Sequence, residues 1–253
     1  MPAPRIIALE DSFIAIDKPA GLICHSDGRT HEPSLAEWLA ETHPEVRTVG
    51  EPWVSPQGEM ILLAGLVHRL DRTTSGVVIA ARTQHFWDYL RGEFRARRVE
   101  KEYRAFVHGH VEGEEGRIVA EIVRTNTIPK RWAARACDEQ YPRAAITDWR
   151  VLARGSTPQG ELFSVLAIVP RTGRTHQIRV HLASIGHPLV ADHRYAPERA
   201  PILGFARPAL HAHRIAFSRE DSSRVSCEAS LPEDFVRALA GVAGGDTGVL
   251  QIY

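Results

Sequence analysis

The chain has 253 residues, with 31 basic and 31 acidic side chains, a formal net charge of zero, 43% hydrophobic residues and 25% charged ones. This is the composition of a folded globular protein with ample material for a core, as one large domain or a compact pair. Taken alone, the zero balance argues against a nucleic-acid partner, and the longest apolar run, residues 60–67, is far too short to cross a bilayer.

In chain order, residues 6–9 and 13–17 read as short strands leading into a turn at Lys18, Pro19, Ala20 and Gly21. Ser34 and Glu37 have the spacing of a capping box ahead of the amphipathic Leu35, Trp38 and Leu39. A Pro- and Gly-rich excursion follows over residues 43–58. The aliphatic runs at 61–67 and 77–81 read as two buried strands. Between them, residues 68–76 (HRLDRTTSG) place the carboxylate of Asp71 between two arginines, ahead of a turn rich in hydroxyls and glycine. A loop held between buried strands is a rigid mount for a reactive group. On the local sequence alone, a turn-capping carboxylate on a solvated loop is an equal reading.

Thr83 is placed to cap a helix in which Phe86, Leu90 and Phe94 recur every four residues. Residues 99–107 change to a period of two, with Tyr103 on one face and Arg104 on the other, so a strand is expected there. Further strands are expected at 117–123, 144–152, 161–169 and 210–217. A helix opening at Thr175 would bury a stripe of Ile178, Leu182 and Ile185 and leave Arg179 to face a cleft. The turn before it, RTGRTH over residues 171–176, offers backbone N–H groups and arginines to an anion. Strands dominate without regular βαβ alternation, which predicts an α+β fold with a large mixed sheet.

The charges are unevenly placed. Residues 10–51 hold nine acids against three bases, and residues 91–104 hold six bases against three acids. Residues 123–135 carry Arg124, Lys130, Arg131 and Arg135 with no acid, and residues 171–182 carry three arginines unopposed. Such asymmetry can build a basic face on a neutral protein. The histidine pairs His108/His110 and His211/His213 have the spacing of one strand face each. With no CxxC or HExxH pattern and dispersed cysteines, no metal is expected. The Gly-rich tail at 241–248 lacks the strand–turn–helix setting of a nucleotide site, so no nucleotide cofactor is expected either. No leader pattern opens the chain, and three scattered cysteines suit a reducing compartment, so the expected location is cytoplasmic.

Five blocks together resemble the RluA family of RNA pseudouridine synthases. Residues 68–76 match the family's catalytic motif across its length. Residues 17–22 (DKPAGL), 101–105 (KEYRA), 172–195 and 210–213 (LHAH) are similar to the family's other blocks, in the family's order. The resemblance covers residues 13–217. It departs at Ala191, where the family usually has glycine, at residues 24–27, at Ser218 and Arg219, and in a longer 43–63 segment.

The resemblance implies a pseudouridine synthase fold: a mostly antiparallel sheet with flanking helices and a central catalytic cleft. It implies one catalytic domain over residues 1–253, monomeric, without a preceding S4 domain. The implied activity is isomerisation of a uridine in a transfer or ribosomal RNA stem-loop, without a cofactor. Asp71, paired with Arg179, would attack C1′ as the nucleophile or alternatively take a 2′ proton, and Tyr103 would stack on the uracil. Arg69 would hold the nucleotide out of its stack, and from their charge Arg174, Thr175 and the basic segments would grip phosphates. A catalytically silent RNA-binding protein on the same scaffold is the alternative. A glycoside hydrolase is disfavoured for want of a partner carboxylate.

Overall fold

Among the described residues, ten strands in mostly antiparallel pairing, a separate two-stranded hairpin and four α-helices make up the fold, in the α+β class expected. The structure is a computed structural model that describes all residues except 1, 27, 29–31, 52, 56–57, 127–130 and 243–253. In chain order the first elements are β1 (Arg5–Leu9), β2 (Phe13–Lys18), α1 (Leu35–Thr42), β3 (Trp53–Val54), β4 (Met60–Ile61), β5 (Ser75–Ala81) and α2 (Gln84–Arg95). There follow β6 (Glu100–His108), β7 (Glu115–Arg124), β8 (Trp132–Ala136), β9 (Ala144–Ser156) and β10 (Leu162–Pro170). The last are α3 (Gln177–Ser184), β11 (Leu210–Ser218), β12 (Arg224–Glu228) and α4 (Glu233–Val242). The chain divides into two compact units, residues 1–100 with 212–229 and residues 101–211 with 230–253.

In the first unit β2 lies between β1 and β5, with Ile14 opposite Ala80 and Ile16 opposite Val78. Every residue of β5 is buried, which is why its sequence is a continuous aliphatic run rather than an alternation. Phe13, Phe86 and Phe217 meet in the core, Phe13 edge-on to Phe217 at 5.5 Å between centroids. The α2 stripe supplies Phe86 and Leu90 to this core, each such burial contributing about 2–3 kcal/mol. Both helix caps are as read: Thr83 Oγ1 accepts from Phe86 N, and Ser34 and Glu37 form a reciprocal capping box.

The run at 61–67 is not a strand. Met60 and Ile61 pair with β3, the backbone turns at Ala64 (φ 47°) and Gly65 (φ 74°), and Leu66 then makes an isolated bridge to Ala80. Ile61, Ala64, Leu66 and Val67 are buried within it, so burial rather than a continuous strand explains much of the composition.

In the second unit the strands lie in the order β6, β10, β9, β7, β8. Successive β6 residues serve two cores. Ala105 and Val107 join Ile178 and Leu182 of α3, while Phe106 joins Phe163, Phe205 and Phe235 of α4. Helices on both faces thus account for the apolar run at the end of β6. The sequence reading missed β3, β4, β8, β12 and α4, and it placed His110 on a strand that ends at His108. The Gly-rich tail lies outside the described residues beyond Val242.

Candidate active site

The loop carrying Asp71 is fastened on both sides of the carboxylate. Lys18, with no exposed surface, points its ammonium at the carbonyls of Pro19 (2.9 Å), Leu22 (2.8 Å) and Arg72 (3.3 Å). Gly21 N donates to the same Arg72 carbonyl at 2.8 Å, and Leu70 N donates to Cys24 Sγ at 3.2 Å. The Asp71 carbonyl accepts from Thr74 N at 3.0 Å, closing a turn. His68 anchors the upstream side: its Nε2 accepts from Ile79 N at 3.0 Å and its ring stacks on Phe94 at 5.0 Å. That bond assigns the neutral ring's proton to Nδ1. Burial pushes the Cys24 thiol up, so this sulfur acts as a fixed packing and hydrogen-bonding group.

Gly76 closes the loop at φ 118°, where an added Cβ would lie 2.1 Å from the Ala212 carbonyl oxygen. Asp71 itself is half-buried, between buried Leu70 and exposed Arg72. Arg69 is exposed with Nη1 3.3 Å from His25 Nε2. Arg72 is bonded to Glu32 (Nη2 to Oε1, 2.9 Å), so the two arginines of the motif have different surroundings.

The second unit holds the other candidates. Tyr103 sits on β6 opposite Ile168 of β10, half-buried at the edge of the cluster that includes Ile178. The helix expected to open at Thr175 starts at Gln177, after His176 in the left-handed region (φ 53°, ψ 23°). Gln177 explains the late start. Its Oε1 accepts from Arg174 N (3.0 Å) and Thr172 Oγ1 (2.7 Å), and its Nε2 donates to Ile146 O (2.9 Å) and Thr147 Oγ1 (3.0 Å). The turn is therefore bolted to β9, and the Arg174 N–H expected to serve an anion is used internally. Ile185 caps the helix end and is 38% exposed, outside the buried stripe.

Arg179 has a partner that local spacing did not name. It is buried, with Nε and Nη2 each 2.8 Å from an oxygen of Asp192. Its guanidinium lies 5.1 Å from the Tyr195 ring centroid, and the Tyr195 hydroxyl is 2.7 Å from His176 Nδ1. Asp192 and Tyr195, which carried no role in the sequence reading, thus hold Arg179 in one orientation. Both stand in the 172–195 block, the one available signal for them. Arg174 and Thr175 are exposed on the preceding turn.

The basic segments are weaker candidates than their charge suggested. Arg91 and Arg95 each lie 3.9 Å from Glu51, Arg98 bonds Glu93, and Arg104 is buried against Glu102. Arg135 bonds Glu121, and Lys130 lies outside the described residues. Among the described residues, no three His, Cys, Asp or Glu side chains converge as metal ligands. No helix among the described residues is long and apolar enough to cross a membrane.

A family model described as RNA pseudouridylate synthase matches residues 12–184. The chain belongs to that family. It is 32% identical over 218 residues to a dual-specificity RNA pseudouridine synthase RluA of Vibrio parahaemolyticus, covering 85% of this chain and 78% of the relative. An uncharacterised RNA pseudouridine synthase of Zymomonas mobilis is 33% identical, with 92% of this chain and 96% of the relative covered. A ribosomal large subunit pseudouridine synthase D of Neisseria meningitidis is 34% identical over 93% of this chain, which spans 60% of that relative. Among solved structures, human RNA pseudouridylate synthase domain containing 1 superposes with TM-score 0.66 at 25% identity, over 91% of this chain and 84% of its own. Human RNA pseudouridylate synthase domain containing 4 shares the fold, with TM-score 0.70 at 22% identity over 94% and 92%. The synthase is thus an isomerase acting on RNA, as its resemblance implied.

Proposed function

We propose that this synthase isomerises a uridine in a transfer or ribosomal RNA stem-loop, with Asp71 as the nucleophile. Asp71 attacks C1′, the N1–C1′ bond breaks, and the uracil leaves as an anion. After rotation, C5 attacks C1′ and expels the carboxylate, and the C5 proton passes to solvent while N1 takes up a proton from solvent. Atoms and charge balance without a metal, phosphate or nucleotide cofactor. A carboxylate suits this path because charge at C1′ has the oxocarbenium character that carboxylates stabilise in glycosidases.

The observation that carries the reading is the anchored 68–76 loop, which presents a half-buried carboxylate with its backbone tied to Lys18, Gly21 and Cys24. Arg179, held in one orientation by Asp192, is the basic side chain we assign to the reaction. Tyr103 stacks on the uracil and assists loss of the C5 proton. Arg69 holds the nucleotide outside its stack, and a loop target lowers the cost of that extrusion. Arg174 and Thr175, both exposed, contact flanking phosphates. The enzyme works as a cytoplasmic monomer. A relative named for the ribosomal large subunit supports ribosomal RNA as a target, and one named for dual specificity supports more than one.

The test is tritium release from transcripts labelled at uridine C5. Asp71→Asn is expected to abolish release while RNA binding persists. Full activity in that variant overturns the assignment. Binding without product by the unaltered protein would instead mean a silent RNA-binding protein, and free uracil would mean a hydrolase.

A further inference from the structure

The longer segment at 43–63 builds a feature that the reaction above does not use. Its β3–β4 hairpin places Trp53 opposite Ile61 and Val54 opposite Met60. Ile61 is buried, but Trp53 is 39% exposed, Val54 53% and Met60 71%, a concentration of apolar surface unusual for so short a hairpin. The hairpin is seated firmly. Buried Ser55 packs so closely on Gly28 that an added Cβ there would lie 2.3 Å from Ser55 Cβ. Ser55 Oγ also accepts from Glu59 N at 3.2 Å, fixing the turn.

The seat leads to the reacting loop. The His25 ring meets Trp53 edge-on at 6.0 Å between centroids, and His25 Nε2 is 3.3 Å from Arg69 Nη1. Arg69 lies two residues before Asp71. An exposed indole, an imidazole and an exposed guanidinium therefore form one contiguous row ending at the catalytic loop. An enzyme that extrudes a uridine leaves the neighbouring bases without a stacking partner. Aromatic rings are the side chains that recover such stacking, because every base has a π-face. A charged protein surface would find little to bind on Trp53 and Met60, whereas an unpaired base matches both their flatness and their apolarity.

We infer that Trp53 is a stacking platform for an unpaired base flanking the target uridine, and that the β3–β4 hairpin helps select the RNA. This rests on the proposed uridine isomerisation, and the two fail differently. The test uses the full chain with unmodified transfer-RNA transcripts and large-subunit ribosomal RNA fragments labelled at uridine C5. Trp53→Ala is expected to weaken kcat/KM roughly five- to thirtyfold, the lower part of the range for losing one stacked base, with most of the loss in KM. Trp53→Phe is expected to recover most of it. No conversion by the unaltered enzyme refutes the reaction assigned to this chain. Conversion that is indifferent to Trp53→Ala refutes the platform.

A second measurement does not depend on the variant folding. Transcripts carrying 5-iodouridine beside the target are irradiated with the unaltered enzyme and the cross-linked peptide is sequenced. A cross-link at Trp53 supports the platform, and cross-links only elsewhere overturn it. Concentration-dependent self-association lost in Trp53→Ala, with RNA kinetics unchanged, would assign the hairpin to a second copy and also overturn it.

Discussion

The Arg179–Asp192 pair gives the sharpest expectation. The two side chains are 9% and 0% exposed and share two bonds of 2.8 Å. Asp192 Oδ1 also accepts from Arg194 N at 3.2 Å and Tyr195 N at 3.3 Å. Asp192→Ala removes the buried carboxylate that binds the Arg179 guanidinium at two atoms, which costs about 3–5 kcal/mol. Loss of the two longer backbone bonds adds about 1 kcal/mol. Arg179→Met leaves the converse, a buried carboxylate still held by two N–H donors, and should cost about 3 kcal/mol. Combining Asp192→Ala with Arg179→Met removes both charges, so the double variant should be at least about 2 kcal/mol more stable than additivity requires. Urea unfolding followed by far-UV circular dichroism and tryptophan fluorescence measures all three free energies, and tritium release reports activity alongside. Both single variants should lose most turnover, because Arg179 is then absent or unoriented. A cost below about 1 kcal/mol for Asp192→Ala, or strict additivity in the double variant, would refute the claim that this pair is a desolvated, mutually dependent unit.

Three further outcomes follow from local geometry. Gly76→Ala forces a methyl to 2.1 Å from the Ala212 carbonyl at φ 118°, and should cost about 3 kcal/mol or more. An unchanged melting temperature would contradict it. Ala191 holds φ 59° where the family usually has glycine. Relief of about 1 kcal/mol of left-handed strain on Ala191→Gly is offset by a lost buried methyl (about 0.8 kcal/mol) and greater unfolded-chain entropy, so the net change should stay within about 1 kcal/mol. A loss above about 2 kcal/mol in chemical denaturation would show that the methyl matters more than the strain. Burial pushes His181 down to about 4, from 6.5, so the unfolded chain binds the proton more readily. Its contribution is full above pH 6.5 and is lost as pH falls from 6.5 to 4, about 3 kcal/mol in all. The stability–pH slope in that window should flatten in His181→Asn, and an identical slope would sink the assignment.

Much of the site was written in local sequence because its signals are local. The Ser34–Glu37 box, the Thr83 cap, the alternation along β6 and the HRLDRTTSG string each act within a few residues, so spacing and residue type suffice to place them. Tertiary structure decided the rest. The aliphatic run at 61–67 and the strand β5 have the same composition, and only the turn at Ala64 and Gly65 separates buried loop from buried strand. The helical period put Arg179 off the buried stripe, but only the fold shows that Asp192, thirteen residues on, holds it through a bidentate bond. The anion-binding turn before α3 is closed by Gln177, whose partners Ile146 and Thr147 lie about thirty residues away in sequence. The sequence by itself determined which chemistry the chain is equipped for. What only the fold decided is how each group is held, since a buried charge such as Lys18 or Arg179 takes its meaning from partners that no local pattern names.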